Sequence, residues 1–296
     1  MISYICLPVP LTPVSMSAPR LNSLKQSIAY WCFNVCGDQW SLDRICEVAN
    51  ELGCGSVELL NTVDELKIVE KHGLTCALLG LDMDPDPPFV YGFNNSDHYP
   101  RLIRQTKAGI DAASDYGCPN MIVFTGFAAK SPSQPDGPQI SLADGAAQCV
   151  RGLSEIVAYA AEKNVTLVLE PLSTRDNSHP MKGHPGYQGN HVDYCVDIIK
   201  AVDSPHLKLL FDLYHAQVMD GDLIRRIRTH GHLFGHVHTA GAPGRGELDD
   251  TQEINFLPTM QALVDIGYPG FVGHEYIPTR DPYQSLQEAV ALCGSV

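Results

Sequence analysis

Eight short apolar runs, each separated from the next by a longer amphipathic stretch, constrain this chain more than any other feature. They are SIAYWCF (27–33), GSVELL (55–60), LTCALLGL (74–81), NMIVFTG (120–126), VTLVLEP (165–171), LKLLFDL (207–213), LFGHVHT (233–239) and GFVGHEY (270–276). Most are bounded by Gly, Pro or Asn and are rich in β-branched or aromatic residues, as buried strands are. The stretches between them carry helical periodicity. In SLDRICEVANELG, Ser41 is placed to cap a helix and Gly53 to stop it. YPRLIRQTKAGIDAASDYG, LADGAAQCVRGLSEIVAYAAEKN and NFLPTMQALVDIG follow the same pattern. Strand–helix alternation requires parallel strands, and eight units in about 265 residues predict a single (β/α)8 TIM barrel of the α/β class. An open doubly wound sheet is the rival, but no G-x-G-x-x-G or Walker-type loop follows any run.

The barrel is expected over residues 25–296. Residues 1–24, with Pro8, Pro10 and Pro13 interrupting their apolar part and no basic stretch at the start, are expected to form a flexible extension rather than a secretory signal, with Met16 as another candidate start. No apolar run is long enough to span a bilayer. A formal charge of −14 argues against a nucleic-acid partner, because phosphate binding needs a basic surface. The ten cysteines form no C-x-x-C pair, so zinc knuckles and dithiol redox motifs are not indicated, and reduced thiols in a cytoplasmic protein are expected.

A TIM barrel places its chemistry at the C-terminal ends of its strands. Four consecutive runs end accordingly: VTLVLE at Glu170, LKLLFD at Asp212, FGHVH at His238 and GFVGHE at Glu275. A lone polar residue at a strand end is usually a cap or a satisfied group. Four in succession, converging on one barrel mouth, are harder to explain that way. Three buried carboxylates repel one another unless a cation sits among them. Three oxygen ligands and one imidazole suit one divalent ion, Mn2+, Mg2+ or Co2+. His236, two residues deeper on the face of His238, is expected to support it by a hydrogen bond or to line the pocket.

Ten of the twelve histidines fall between His179 and His274, around this set. The loop PLSTRDNSHPMKGHPGYQGNHVD is long and holds Arg175, Lys182 and His184, and loops of that length and polarity are commonly functional. His215 lies within reach of Asp212, and Arg245 is a candidate for a substrate carboxylate or hydroxyl. For Lys182 and His184 a solvated surface position is the plainer interpretation.

The segments LEPLSTRD, FDLYHAQ, HVHTAGAPGRGELD, EINF and GFVGHEY resemble the xylose isomerase-like TIM-barrel superfamily, and within it the hydroxypyruvate isomerase family. The resemblance runs from about Gln26 to the C-terminus and is most specific after Val165. It implies a metal site at Glu170, Asp212, His238 and Glu275, with Glu170 and Glu275 as the catalytic acid/base pair. It further implies substrate contacts from His215 and Arg245, a small sugar or hydroxy-keto acid as substrate, and a homo-oligomer. Two departures bear on the substrate: the extra residues NSHPMKGHPGYQ, and His238 where some hydroxypyruvate isomerases have Gln.

The implied chemistry is enediolate proton transfer between two glutamates beside a carbonyl polarised by the metal. It serves aldose–ketose isomerisation, including hydroxypyruvate to tartronate semialdehyde, and equally ketose 3-epimerisation. In the first case Arg245 or Lys182 is the expected partner of the substrate carboxylate. A retaining glycosidase would need the paired carboxylates without the metal. A multi-zinc nuclease of the endonuclease-IV type would need a basic groove, and a non-catalytic sugar-binding protein would not need the full four-residue set.

Overall fold

A computed structural model describes residues 24–34 and 39–296. Eight strands appear where the eight runs predict them: β1 Lys25–Ala29, β2 Ser56–Glu58, β3 Leu78–Leu79, β4 Asn120–Val123, β5 Thr166–Leu169, β6 Leu207–Asp212, β7 Phe234–Thr239 and β8 Phe271–His274. All pairings are parallel, in the order β2-β1-β8-β7-β6-β5-β4-β3. Single parallel bridges, Ser56 to Thr75 and Leu60 to Leu79, join β2 to the β3 segment and complete the (β/α)8 barrel. Of the expected extension, residues 1–23 lie outside the described part.

The longer helices that follow the strands are α2 Leu42–Leu52, α3 Val63–Lys71, α4 Tyr99–Asp115, α5 Leu142–Glu162, α6 Val192–Val202, α9 Phe256–Asp265 and α10 Pro282–Cys293. Local chemistry sets their ends. The Ser41 side chain accepts from the Arg44 N–H at the start of α2, and Gly53 stops that helix in the left-handed conformation at φ 77°. Thr62 and Glu65 form a capping box on α3. No helix among the described residues is long and apolar enough to cross a membrane.

The first run departs from its expected extent. The strand closes at Ala29, and Tyr30–Asn34 turn into a short helix, α1. The pairings explain it: β1 meets β2 last at Ala29–Glu58 and β8 last at Ile28–His274, so the backbone beyond has no ladder to continue. β3 is likewise shorter than its apolar run.

Apolar side chains such as Ile28, Val57, Leu78, Met121, Leu167, Leu209, Val237 and Val272 are buried in the core. Polar residues are buried with them. Ser27 and Ser56 bond each other at 2.8 Å, and His274 bonds Gln26 at 2.8 Å. Each is paired, as burial in a low-dielectric interior requires.

Candidate active site

The carboxy-terminal ends of β5 to β8 deliver four side chains to one place. Donor atoms of Glu170, Asp212, His238 and Glu275 all lie within 4.8 Å of one another, and all four residues are buried. Asp212 is the last residue of β6 and His238 the last but one of β7, while Glu170 and Glu275 stand one residue past β5 and β8. Asp212 also caps the short helix α7, Leu213–Met219, accepting from the N–H groups of Tyr214 at 2.7 Å and His215 at 3.2 Å. The capping role expected of a lone strand-end Asp is real here, and it accompanies the clustering rather than replacing it.

The donor set fits a divalent cation. His238 Nδ1 lies 2.8 Å from Glu275 Oε2 and 3.8 Å from Glu170 Oε1. Both Glu170 Oε1 and His238 Nδ1 are buried without a hydrogen-bond partner, which is costly unless something else engages them. Three carboxylates and one imidazole converging on a point form a hard, oxygen-rich set.

The electrostatics of the two glutamates diverge. Burial pushes Glu170 up to about 7, with Glu275 and Asp212 adding to the rise and His238 opposing it. Burial would also raise Glu275, but Arg245 and His238 outweigh it and hold that carboxyl at about 2. Asp212 is raised by burial despite Arg245. A divalent cation among them would draw all three carboxylates down.

Arg245 is 2% exposed and central. Its Nη2 donates to Glu275 Oε2 at 2.6 Å and to Asp212 Oδ2 at 3.3 Å, and its Nη1 donates to the Met181 carbonyl. The guanidinium lies 5.3 Å from the Trp31 ring centre, and Trp31 Nε1 donates to Glu275 Oε1 at 2.8 Å. Arg245 sits in the left-handed region at φ 54°, as does Leu59 at φ 58°. Such conformations cost about 1–3 kcal/mol and gather where a site over-determines the backbone.

A cavity of about 210 Å3 opens above this cluster, with Glu170, Glu275 and Arg245 in its lining. Its other walls are mainly apolar, from Leu59, Leu81, Pro88, Phe89, Phe124 and Leu172, with Trp31, Asn61 and His184 as polar exceptions. His184 packs on Phe89 with ring centres 4.2 Å apart, and burial, reinforced by Arg245, lowers it to about 3.

The sequence-derived residues divide accordingly. Glu170, Asp212, His238, Glu275 and Arg245 are brought together. His184 lines the cavity rather than standing in solvent. His236, Lys182 and His215 do not line it. His236 is fully buried and bonds Glu58 rather than His238. Lys182 is half-buried, and it is its backbone carbonyl that accepts from Tyr214 Oη at 2.7 Å. The loop turns there so that Met181 and His184 face inward instead. His215 Nδ1 accepts from the Ser173 N–H at 3.1 Å, leaving Nε2 protonated and 3.8 Å from Asp212 Oδ2.

Sequence reasoning missed Glu58, Trp31 and Phe89. Glu58 carried a weaker signal: a carboxylate inside the apolar run GSVELL, where the strand itself ends, as Glu170, Asp212 and Glu275 stand at or just past their strand ends. Trp31 was concealed inside a run read as strand, and Phe89 lies in a loop without periodicity.

The sequence pattern of the family described as xylose isomerase-like TIM barrel matches residues 46–293. A Homo sapiens protein named "Putative hydroxypyruvate isomerase" is 33% identical over 184 residues, 61% of this chain and 63% of its own length. The match thus spans less than two thirds of that relative. A 2-oxo-tetronate isomerase from Haemophilus influenzae is 29% identical over 83% of this chain and 91% of its own. Among solved structures, a 3-keto-D-glucoside 4-epimerase from E. coli superposes with TM-score 0.72 at 18% identity, covering 92% of this chain and 100% of its own. An AP endonuclease, family 2, from Brucella melitensis also gives 0.72, at 24% identity over 89% and 97% of the two chains. Likeness at that identity concerns the fold alone. With eight parallel strands, four clustered ligand-type side chains at their carboxy ends and a family pattern matching 46–293, the chain belongs to the xylose isomerase-like TIM-barrel family.

Proposed function

We propose that this chain is a metal-dependent isomerase that converts hydroxypyruvate to tartronate semialdehyde. The observation that carries the proposal is the set of four donor atoms, on Glu170, Asp212, His238 and Glu275, within 4.8 Å of one another, two of whose residues, Glu170 and Glu275, line the cavity. A divalent cation bound there supplies Lewis acidity to the substrate carbonyl and acidifies the adjacent C–H. Glu170 and Glu275 both reach the cavity and are assigned the proton transfers. One takes the proton from C3 of hydroxypyruvate, the hydroxyl proton passes from the C3 oxygen to the C2 oxygen, and a proton is delivered to C2, which completes the shift of the carbonyl. Arg245, whose buried Nε has no partner, offers a donor to the substrate carboxylate. The apolar wall opposite keeps water from the reacting carbons. The names of the relatives support an acid substrate, since hydroxypyruvate and 2-oxo-tetronate are both oxo acids.

Chelator-stripped protein is expected to lose turnover of hydroxypyruvate and to regain it on addition of Mn2+. Metal-restored turnover of a ketose in place of hydroxypyruvate would keep the chemistry and change the substrate to that of an epimerase. Turnover indifferent to the chelator would overturn the role given to the four residues.

A further inference from the structure

A second cluster lies deeper in the barrel. Glu58, His236 and His238 are fully buried, and Glu58 Oε1 stands 3.0 Å from His236 Nε2 and 2.8 Å from His238 Nε2. These separations are those of hydrogen bonds. The carboxylate therefore engages the two imidazoles directly. His238 has two ring nitrogens and two different neighbourhoods. If Nε2 donates its proton to Glu58, the lone pair is left on Nδ1, and Nδ1 is the atom that faces Glu170 and Glu275.

The neighbouring strand is shaped around this contact. A Cβ at Gly273 would come 2.1 Å from Glu58 Oε1 and 2.9 Å from His238 Cδ2. Only glycine on β8 leaves the carboxylate room to reach across from β2 to β7.

We infer that Glu58 is the positioning residue of the metal site, fixing His238 in the Nε2–H tautomer and aiming Nδ1 into the four-ligand cluster. This rests on the metal reading proposed above. Glu58 joins the amino-terminal half of the barrel to a ligand set otherwise drawn from β5 to β8.

The test compares chelator-stripped wild type, Glu58→Gln and Glu58→Leu by calorimetric titration with Mn2+. A long-range 1H–15N spectrum of the Mg2+-loaded wild type accompanies it. Glu58→Leu is expected to bind Mn2+ about 10–100-fold more weakly, the usual consequence of losing such a partner. Glu58→Gln should retain most of the affinity, because its amide oxygen still accepts from Nε2–H. The spectrum should show His238 protonated on Nε2 and not on Nδ1, and this readout needs no variant to fold. Unchanged Mn2+ affinity in Glu58→Leu would overturn the inference while leaving the metal site standing; a proton on Nδ1 in the loaded wild type would overturn it and also remove His238 from the ligand set. Wild type that binds no divalent cation would overturn the metal reading itself.

Discussion

The two halves of the barrel contribute different materials to one cavity. From β5 onward come Glu170, Glu275 and Arg245 in the lining, with Asp212 and His238 clustered against them, a dense set of charges. From the segments around β1 to β4 come Leu59, Leu81, Phe89 and Phe124, an apolar wall, with Trp31 and Glu58 reaching across to the charged side. The charged half alone would expose its carboxylates to water and screening. The apolar half alone would be an ordinary greasy cleft. Set face to face, they hold converging charges in a low-dielectric space, where each interaction is stronger and each unmatched group costs more.

The largest expected effect lies in the charged half. Glu170→Gln and Glu275→Gln should each reduce kcat by about 10²–10⁴-fold, the range of a lost acid/base group, with the fold retained by circular dichroism. Near-normal turnover in either variant would remove that residue from the proton transfer.

Arg245→Leu tests the balance of charge within the same half. It leaves Glu275 and Asp212 buried without their guanidinium partner, a change that typically costs about 3–5 kcal/mol. Urea unfolding of stripped protein should show that loss, and Mn2+ should recover part of it. An unaltered midpoint would mean that the carboxylates are balanced in some other way.

The seam between the halves, where His184 packs on Phe89, should give a smaller and pH-dependent effect. Burial, with Arg245 adding to it, holds His184 at about 3 in the folded chain, against about 6.5 when unfolded. The unfolded chain therefore binds the extra proton first as pH falls. The stability contributed by neutral His184 is complete above about pH 6.5 and is lost progressively toward pH 3, about 2 kcal/mol of it by pH 5. Urea midpoints at pH 7 and pH 5 should differ more in the wild type than in His184→Gln. Equal differences would place the source of the acid sensitivity elsewhere.

Legibility followed the same division. Glu170, Asp212, His238 and Glu275 could be found in the sequence because each interrupts an apolar run at its carboxy end, and a parallel barrel puts such ends together. Phe89 and His184 belong to loops whose course depends on what they pack against, so no period announced them. Lys182 and His184 looked alike in the sequence as polar loop residues, yet one turned away from the cavity and the other into it. Glu58 was not recognised, because in the sequence it lies inside the run GSVELL and its partners are about 180 residues away.

By itself, then, the sequence determined the eight-fold alternation, hence the barrel, and the four ends that face its mouth, because those features depend on local periodicity and on a fixed direction of the strands. Tertiary structure decided the rest. It set which nitrogen of His238 meets Glu58, which loop side chains turn inward, where β1 gives way to helix, and that Arg245 lies between Asp212 and Glu275. Those outcomes rest on contacts between residues far apart in the chain, whose distances are settled only when the barrel closes.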